Sequence, residues 1–196
     1  GEISPVDFIP IAEHTGMIVG IGNWVFQQAL SQAGEWRLTH PEFSVSVNVS
    51  PVQFYRSNEA YYREWLSDCE HIGAAPGAGP AVSIEITESL MMTSDETVMD
   101  KLTAFQNAGI KISLDDFGTG YSSLSYLRKF NLDYLKIDQS FVHNLEQDHA
   151  NSALCEAIIV MAHKLGLKVI AEGIETPGQR DMLAGAGCDY GQGYLF

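Results

Sequence analysis

Four apolar segments of this chain alternate with a period of two, and in each the aliphatic residues keep to one face. That face reads Val45 and Val47; Val82, Ile84 and Ile86; Ile110, Ile112 and Leu114; Leu135 and Ile137. The opposite face reads Ser44, Ser46 and Asn48; Ser83, Glu85 and Thr87; Ser113 and Asp115; Tyr134, Lys136 and Asp138. Successive side chains on a strand point to opposite sides, so one side of these strands is oily and the other polar, turning acidic toward the strand ends. The expected strands are Phe43 to Val49, Ala81 to Thr87, Ile110 to Asp115 and Tyr134 to Asp138, joined by Lys168 to Gly173 and Tyr190 to Phe196.

Segments of helical spacing or composition fall between them: Asn23 to Leu38, Glu59 to Cys69, Asp95 to Ala108, Ser122 to Phe130, Ala150 to Leu165 and Pro177 to Ala186. Ser4-Pro5-Val6-Asp7 reads as an N-cap, a proline at the first helical position and an acidic first turn, so a helix opens the chain. Gly73 to Pro80 reads as a loop. Strands alternating with helices predict βαβ units and a parallel sheet.

Face parity then separates an open sheet from a barrel. A doubly wound sheet meets helices on both sides and needs two apolar faces, whereas the inner face of a barrel can be polar near its mouth. The α/β fold expected here is therefore a TIM-type (β/α) barrel. A full barrel of eight strands takes about 250 residues. With 196 residues and six strands, the chain is expected to be incomplete, a single domain over 1–196 that lacks the first two strands.

Charge narrows the partners. With 25 acidic residues against 11 basic ones the net charge is −14, so polymeric nucleic acid would be repelled. A small anionic substrate stays possible where divalent cations neutralise a carboxylate cluster. Nothing approaches the roughly 20 apolar residues of a membrane helix, and the start has no signal-peptide character, so a cytoplasmic setting is expected. Cys69, Cys155 and Cys188 form no CxxC pair, and the six histidines show no HExxH or Cys-His spacing, which speaks against structural or catalytic zinc. No serine sits in a GxSxG elbow. Tyr61, Tyr62 and Trp65 read as packing or surface.

The inward residues Asn48, Glu85, Asp115 with Asp116, Lys136, Glu172 and Gln192 each lie near the end of a different strand. Oxygen ligands of this kind suit Mg2+ or Mn2+, and a shared carboxylate can bridge two ions about 3.5–4 Å apart, the arrangement used in phosphoryl displacement. Lys136 would hold water or a phosphate oxygen and Glu172 would take the water's proton. Each residue also has a plainer explanation: Asp115-Asp116 as a helix cap, Lys136 with Asp138 as a structural ion pair, Asn48 or Glu85 as a solvated strand end. Burying so many acids in one interior requires a cation or protonation. In Asp116-Phe117-Gly118-Thr119-Gly120-Tyr121-Ser122-Ser123-Leu124 the two glycines read as a tight, mobile loop. Glu88 would either anchor that loop through backbone N–H groups or serve as the acid of a helix N-terminus.

Pro5-Val6-Asp7-Phe8-Ile9-Pro10-Ile11-Ala12-Glu13, Val47-Asn48-Val49-Ser50-Pro51, Ile84-Glu85-Ile86-Thr87-Glu88-Ser89, Leu114-Asp115-Asp116-Phe117-Gly118-Thr119-Gly120, Leu135-Lys136-Ile137-Asp138, Ala171-Glu172-Gly173-Ile174-Glu175-Thr176 and Gln192-Gly193-Tyr194 resemble the EAL domain in order and spacing. The resemblance runs through the whole chain. It implies hydrolysis of cyclic di-GMP to linear pGpG, dependent on Mg2+ or Mn2+ and inhibited by Ca2+. By position it implies that Asn48, Glu85 and Asp115 ligate one metal and Asp115 with Asp116 a second. It further implies that Lys136 orients the water, that Glu172 is general base or second-metal ligand, and that Glu175 supports it. Glu88 would hold the Gly118–Gly120 loop and Gln192 would lie at the substrate end of the last strand. The Glu-Ala-Leu motif that names the family is not in this chain, so an incomplete metal shell and impaired activity of the isolated chain are expected. Missing strands would leave barrel edges open to a homodimer partner. Sensory or cyclase domains commonly accompany this family. Two rival readings remain: a noncatalytic cyclic di-GMP-binding or protein-interaction module of the same fold, and an enolase-type lyase, which also sets acids and a lysine around Mg2+.

Overall fold

The structure, a computed structural model, describes residues 3–56, 59–72, 81–91, 96–119, 127 and 129–196. The chain divides into two compact units, residues 1–86 with 93–112, and residues 87–92 with 113–196.

In the first unit, α1 (Pro5–Thr15) starts on proline with Asp7 in its first turn and stops at Gly16, left-handed at φ 80°. Helix α2 (Ile18–Arg37) buries Phe26, Leu30 and Ala33, a stripe at helical spacing. Strand β1 (Val45–Asn48) leads into α3 (Pro51–Arg56) and α4 (Glu59–Ile72); then come β2 (Val82–Thr87) and, past the short α5 (Glu88–Met91), α6 (Glu96–Asn107). β1 and β2 pair in parallel, placing Asn48 opposite Glu85 and Ser46 opposite Ser83. An aromatic core joins three helices: Phe26 stacks on Trp65 at 4.0 Å between ring centres, and Trp65 lies 6.1 Å from Phe105. The Trp65 indole N–H donates to Asn23 Oδ1 at 2.6 Å, satisfying the one polar atom that stacking buries. Trp65 is thus a core residue.

The second unit holds α5, β3 (Lys111–Phe117) from Ser113 onward, β4 (Tyr134–Ile137), α7 (Gln139–Val142), α8 (His149–Lys164), β5 (Lys168–Ala171), α9 (Pro177–Gly185) and β6 (Tyr190–Gly191). β3 pairs with β4, β4 with β5 and β5 with β6, all in parallel. Helix α8 turns Cys155, Ile158, Ile159 and Ala162 inward. Its start is capped by Asp148, whose Oδ1 accepts the Ala150 N–H at 2.8 Å; Asp138 caps α7 the same way through Ser140 N–H at 2.9 Å.

Expected and observed elements differ at their ends. Helix α2 begins at Ile18, earlier than Asn23. The last strand stops at Gly191 instead of running to Phe196, because its continuation hooks around Ile174: Ile174 N–H donates to Gln192 O, and Leu195 N–H to Ile174 O. Most of the helix expected over Ser122 to Phe130, and all of the loop expected over Gly73 to Pro80, lie outside the described residues. Among the described residues no helix is long and apolar enough to cross a membrane.

Candidate metal and active site

The acidic centre of the second unit is built by an irregularity in β3. The register of β3 against β4 shifts between Leu114 and Phe117, and Asp116 sits at φ 55°. In a regular strand Asp115 and Asp116 would face opposite sides; the bulge undoes the alternation. Carboxylate oxygens of Asp115, Asp116 and Glu172 consequently come within 4.8 Å of one another. The Asp116 N–H donates to Asp115 Oδ1 at 3.0 Å, and the Thr119 hydroxyl donates to the Asp116 carbonyl at 2.9 Å.

Lys136 enters this group from β4. Its side chain is 3% exposed, and Nζ lies 2.6 Å from Glu172 Oε1 and 3.2 Å from Asp115 Oδ1. Glu172 is held at the end of β5, where its N–H donates to Ile137 O at 3.1 Å, one residue beyond Lys136. An ammonium this deeply buried is sustained only by close counter-charges, since desolvation costs several kcal/mol on the usual scale of about that size per ion. Lys136 pairs with Asp115 and Glu172, while Asp138, the partner considered from sequence, accepts from Ser140 as the cap of α7.

One lysine does not balance the acids. Burial, and then the negative charges of Asp115, Asp138 and Glu88, push the Asp116 carboxyl above its ordinary range, with Lys136 opposing them. Three convergent carboxylates with an excess of negative charge are a donor set for a hard, oxygen-seeking cation, so the residues present fit Mg2+ or Mn2+.

The remaining candidates fall into groups. Asn48 and Glu85 stand side by side at the ends of β1 and β2 in the first unit, Asn48 exposed and Glu85 buried. Beneath them Ser46 and Ser83 share a hydroxyl hydrogen bond of 2.8 Å. Glu88 opens α5 and its Oε1 accepts the Gly118 N–H at 3.0 Å, so it holds both positions weighed for it. Gly118 is left-handed at φ 99°, and a Cβ there would lie 2.9 Å from the Phe141 ring. Gly120 lies outside the described residues. Glu175 is exposed, 3.9 Å from His143 Nδ1, and Gln192 is exposed just past β6 with its N–H on Ala171 O. Two residues beside the site were not singled out from sequence, Gln179 and His143. The signal for Gln179 was present: Thr176-Pro177-Gly178-Gln179 is a capping-box pattern.

Carboxylates and a lysine gathered at the C-terminal ends of parallel strands are the site layout of the (β/α)-barrel class. The comparisons with known proteins specify the family. The EAL domain profile matches residues 1–196, and the chain belongs to that family. It is 37% identical over 202 residues to the bifunctional diguanylate cyclase/cyclic di-GMP phosphodiesterase MucR of Pseudomonas aeruginosa, covering 100% of this chain and 28% of MucR. The solved PaMucR phosphodiesterase in complex with c-di-GMP superposes with a TM-score of 0.86 at 37% identity, over 98% of this chain and 76% of that one. Klebsiella pneumoniae BlrP1, solved with manganese and cy-diGMP, gives a TM-score of 0.75 at 29% identity, over 91% and 43%. The fold is therefore the α/β barrel of EAL domains, with six parallel strands among the described residues. The chain spans about a quarter of the length of the curated relatives it matches, 23% to 28% of the first three.

Proposed function

We propose that these residues belong to one domain of a cyclic di-GMP phosphodiesterase that hydrolyses its substrate to linear pGpG. The observation that carries this reading is the buried Lys136 held between Asp115 and Glu172, beside a carboxylate cluster able to hold a cation. Similarity to proteins named as cyclic di-GMP phosphodiesterases supports it. Asp115 and Asp116 are the residues of the second unit proposed to hold Mg2+ or Mn2+. When bound, such ions supply Lewis-acid polarisation of the phosphoryl group and lower the pKa of a water. Lys136 adds a fixed positive charge where negative charge grows on the phosphoryl oxygens, preorganised by its two carboxylate contacts. Glu172 takes the proton of the attacking water, and its contact with Lys136 fixes its position for that task. Glu88 steadies the Gly118 turn, Glu175 supports the Glu172 turn, and Gln192 meets substrate at the end of the last strand.

The test uses the natural polypeptide that carries these residues, with Mn2+, cyclic di-GMP and chromatographic product analysis. Formation of pGpG, reduced about 10²–10⁴-fold in E172Q, is the expected result. Saturable cyclic di-GMP binding without any product, in the wild type, would instead make this a binding module and overturn the catalytic reading.

A further inference from the structure

We propose that Gln179 is a positioning residue for Lys136 and Glu172, acting through the two turns that continue their strands. The inference rests on the catalytic roles proposed above for those two side chains. Gln179 is 3% exposed. Its Oε1 accepts the N–H groups of Glu175 at 2.7 Å and Thr176 at 3.0 Å, and its own N–H donates to Thr176 Oγ1 at 3.1 Å. These bonds form the capping box of α9 and need only an acceptor at this position, which glutamate would supply equally well.

The Nε2 group does something that capping does not require. It donates to the carbonyl of His143 at 3.1 Å, 36 residues away and immediately after α7. Helix α7 follows β4, the strand of Lys136, and residues 172–176 follow β5, the strand that delivers Glu172. One buried amide therefore fastens the turn beyond Lys136 to the turn beyond Glu172. The same two turns meet at a second point. Gly173 is left-handed at φ 69°, and an added Cβ would lie 2.6 Å from Gln139 Cβ at the start of α7. Fixed at both points, the turns keep Lys136 and Glu172 at 2.6 Å. A misplacement of about 1 Å in such a pair costs on the order of 10²-fold in rate.

The experiment compares Q179E, Q179M and T176A in the natural polypeptide with Mn2+ and cyclic di-GMP. Q179E keeps the capping acceptor but turns an oxygen toward His143 O, so kcat should fall about 10–100-fold with KM changed less than about threefold. Q179M, uncharged and of similar length, should show the same kcat loss and supplies the reading if Q179E does not fold. T176A removes a cap and keeps the bond to His143; it should melt at a lower temperature with kcat within about twofold of wild type. In metal-free protein, the Lys136 ammonium resonance should move in Q179E and stay in place in T176A. Wild-type kcat in both Gln179 variants while E172Q is inactive would overturn this proposal alone. Full activity in E172Q would overturn it together with the reading it rests on.

Discussion

Lys136 is the residue on which the site's charge turns. Its ammonium is shared between Asp115 and Glu172 in a nearly water-free position, so K136M would leave two carboxylates facing each other without it. Breaking a buried pair in this way costs about 3–5 kcal/mol, and urea denaturation of K136M should show a loss of that size. Asp116 behaves oppositely. Its carboxyl is raised by burial and by neighbouring acids, so in the metal-free protein its ionised form opposes folding. A raised carboxyl stabilises the fold below its unfolded pKa and loses that contribution as pH rises through the folded value. D116N should therefore stabilise the metal-free protein at neutral pH, by on the order of 0.5 kcal/mol after solvent screening. The same variant should weaken Mn2+ binding measured by calorimetry. Lys136 and Asp115 were legible from sequence because period-two alternation places them on the inner face, and Glu172 was legible as an acid near the end of a strand. Asp116 was legible only as a neighbour: alternation puts it on the outer face, and no local pattern announces a bulge.

Elements held together by single polar contacts have measurable signatures. Asp189 precedes β6, accepts the Val169 N–H of β5 at 2.9 Å and pairs with His163 of α8 at 2.8 Å. Burial alone would raise its carboxyl, but the hydrogen bonds from Val169 and His163, aided by the charges of His163 and Lys168, outweigh that and hold it below its ordinary value. The stability this provides is complete above the unfolded carboxyl pKa of about 3.9 and is lost as pH falls through the lower folded value. In acid denaturation, D189N should remove the part of the stability change that lies below about pH 4. At Gly118, G118A adds a Cβ to a left-handed residue 2.9 Å from the Phe141 ring, and about 1–3 kcal/mol of destabilisation is expected in thermal melts. Strands β1 to β5 could be read from sequence because each buries aliphatic side chains. Helix α2 was under-read because Gly20 and Gly22 are poor helix formers and Met17 at its observed start supplies no side-chain cap. The last strand was over-read because Gln192 to Leu195 is apolar enough for a strand, while its backbone pairs with Ile174, a partner that local pattern does not reveal.

For the molecule as a whole, 25 acidic and 11 basic residues make self-repulsion a standing cost, and part of it is concentrated at one cluster. A cation that binds only the folded state adds about 2.7 kcal/mol at a free concentration of 100 times its Kd. Melting temperature should accordingly rise with Mn2+ and fall back on chelation, and the rise should shrink in D116N. Membership of the barrel class was legible because the parity of faces repeats over four strands. The brace formed by Gln179 was legible only as a helix cap, since its second contact joins residues 36 apart.

The left-handed backbone at Asp116 binds two properties into one position, the pocket's charge and the path of β3. Asparagine and glycine accept that backbone readily, whereas a β-branched residue would press the strand back into even alternation. Evolutionary drift at this position is therefore channelled. Chains that give up the negative charge at 116 should carry Asn or Gly there and keep the kink, preserving the outline of the pocket without its acid.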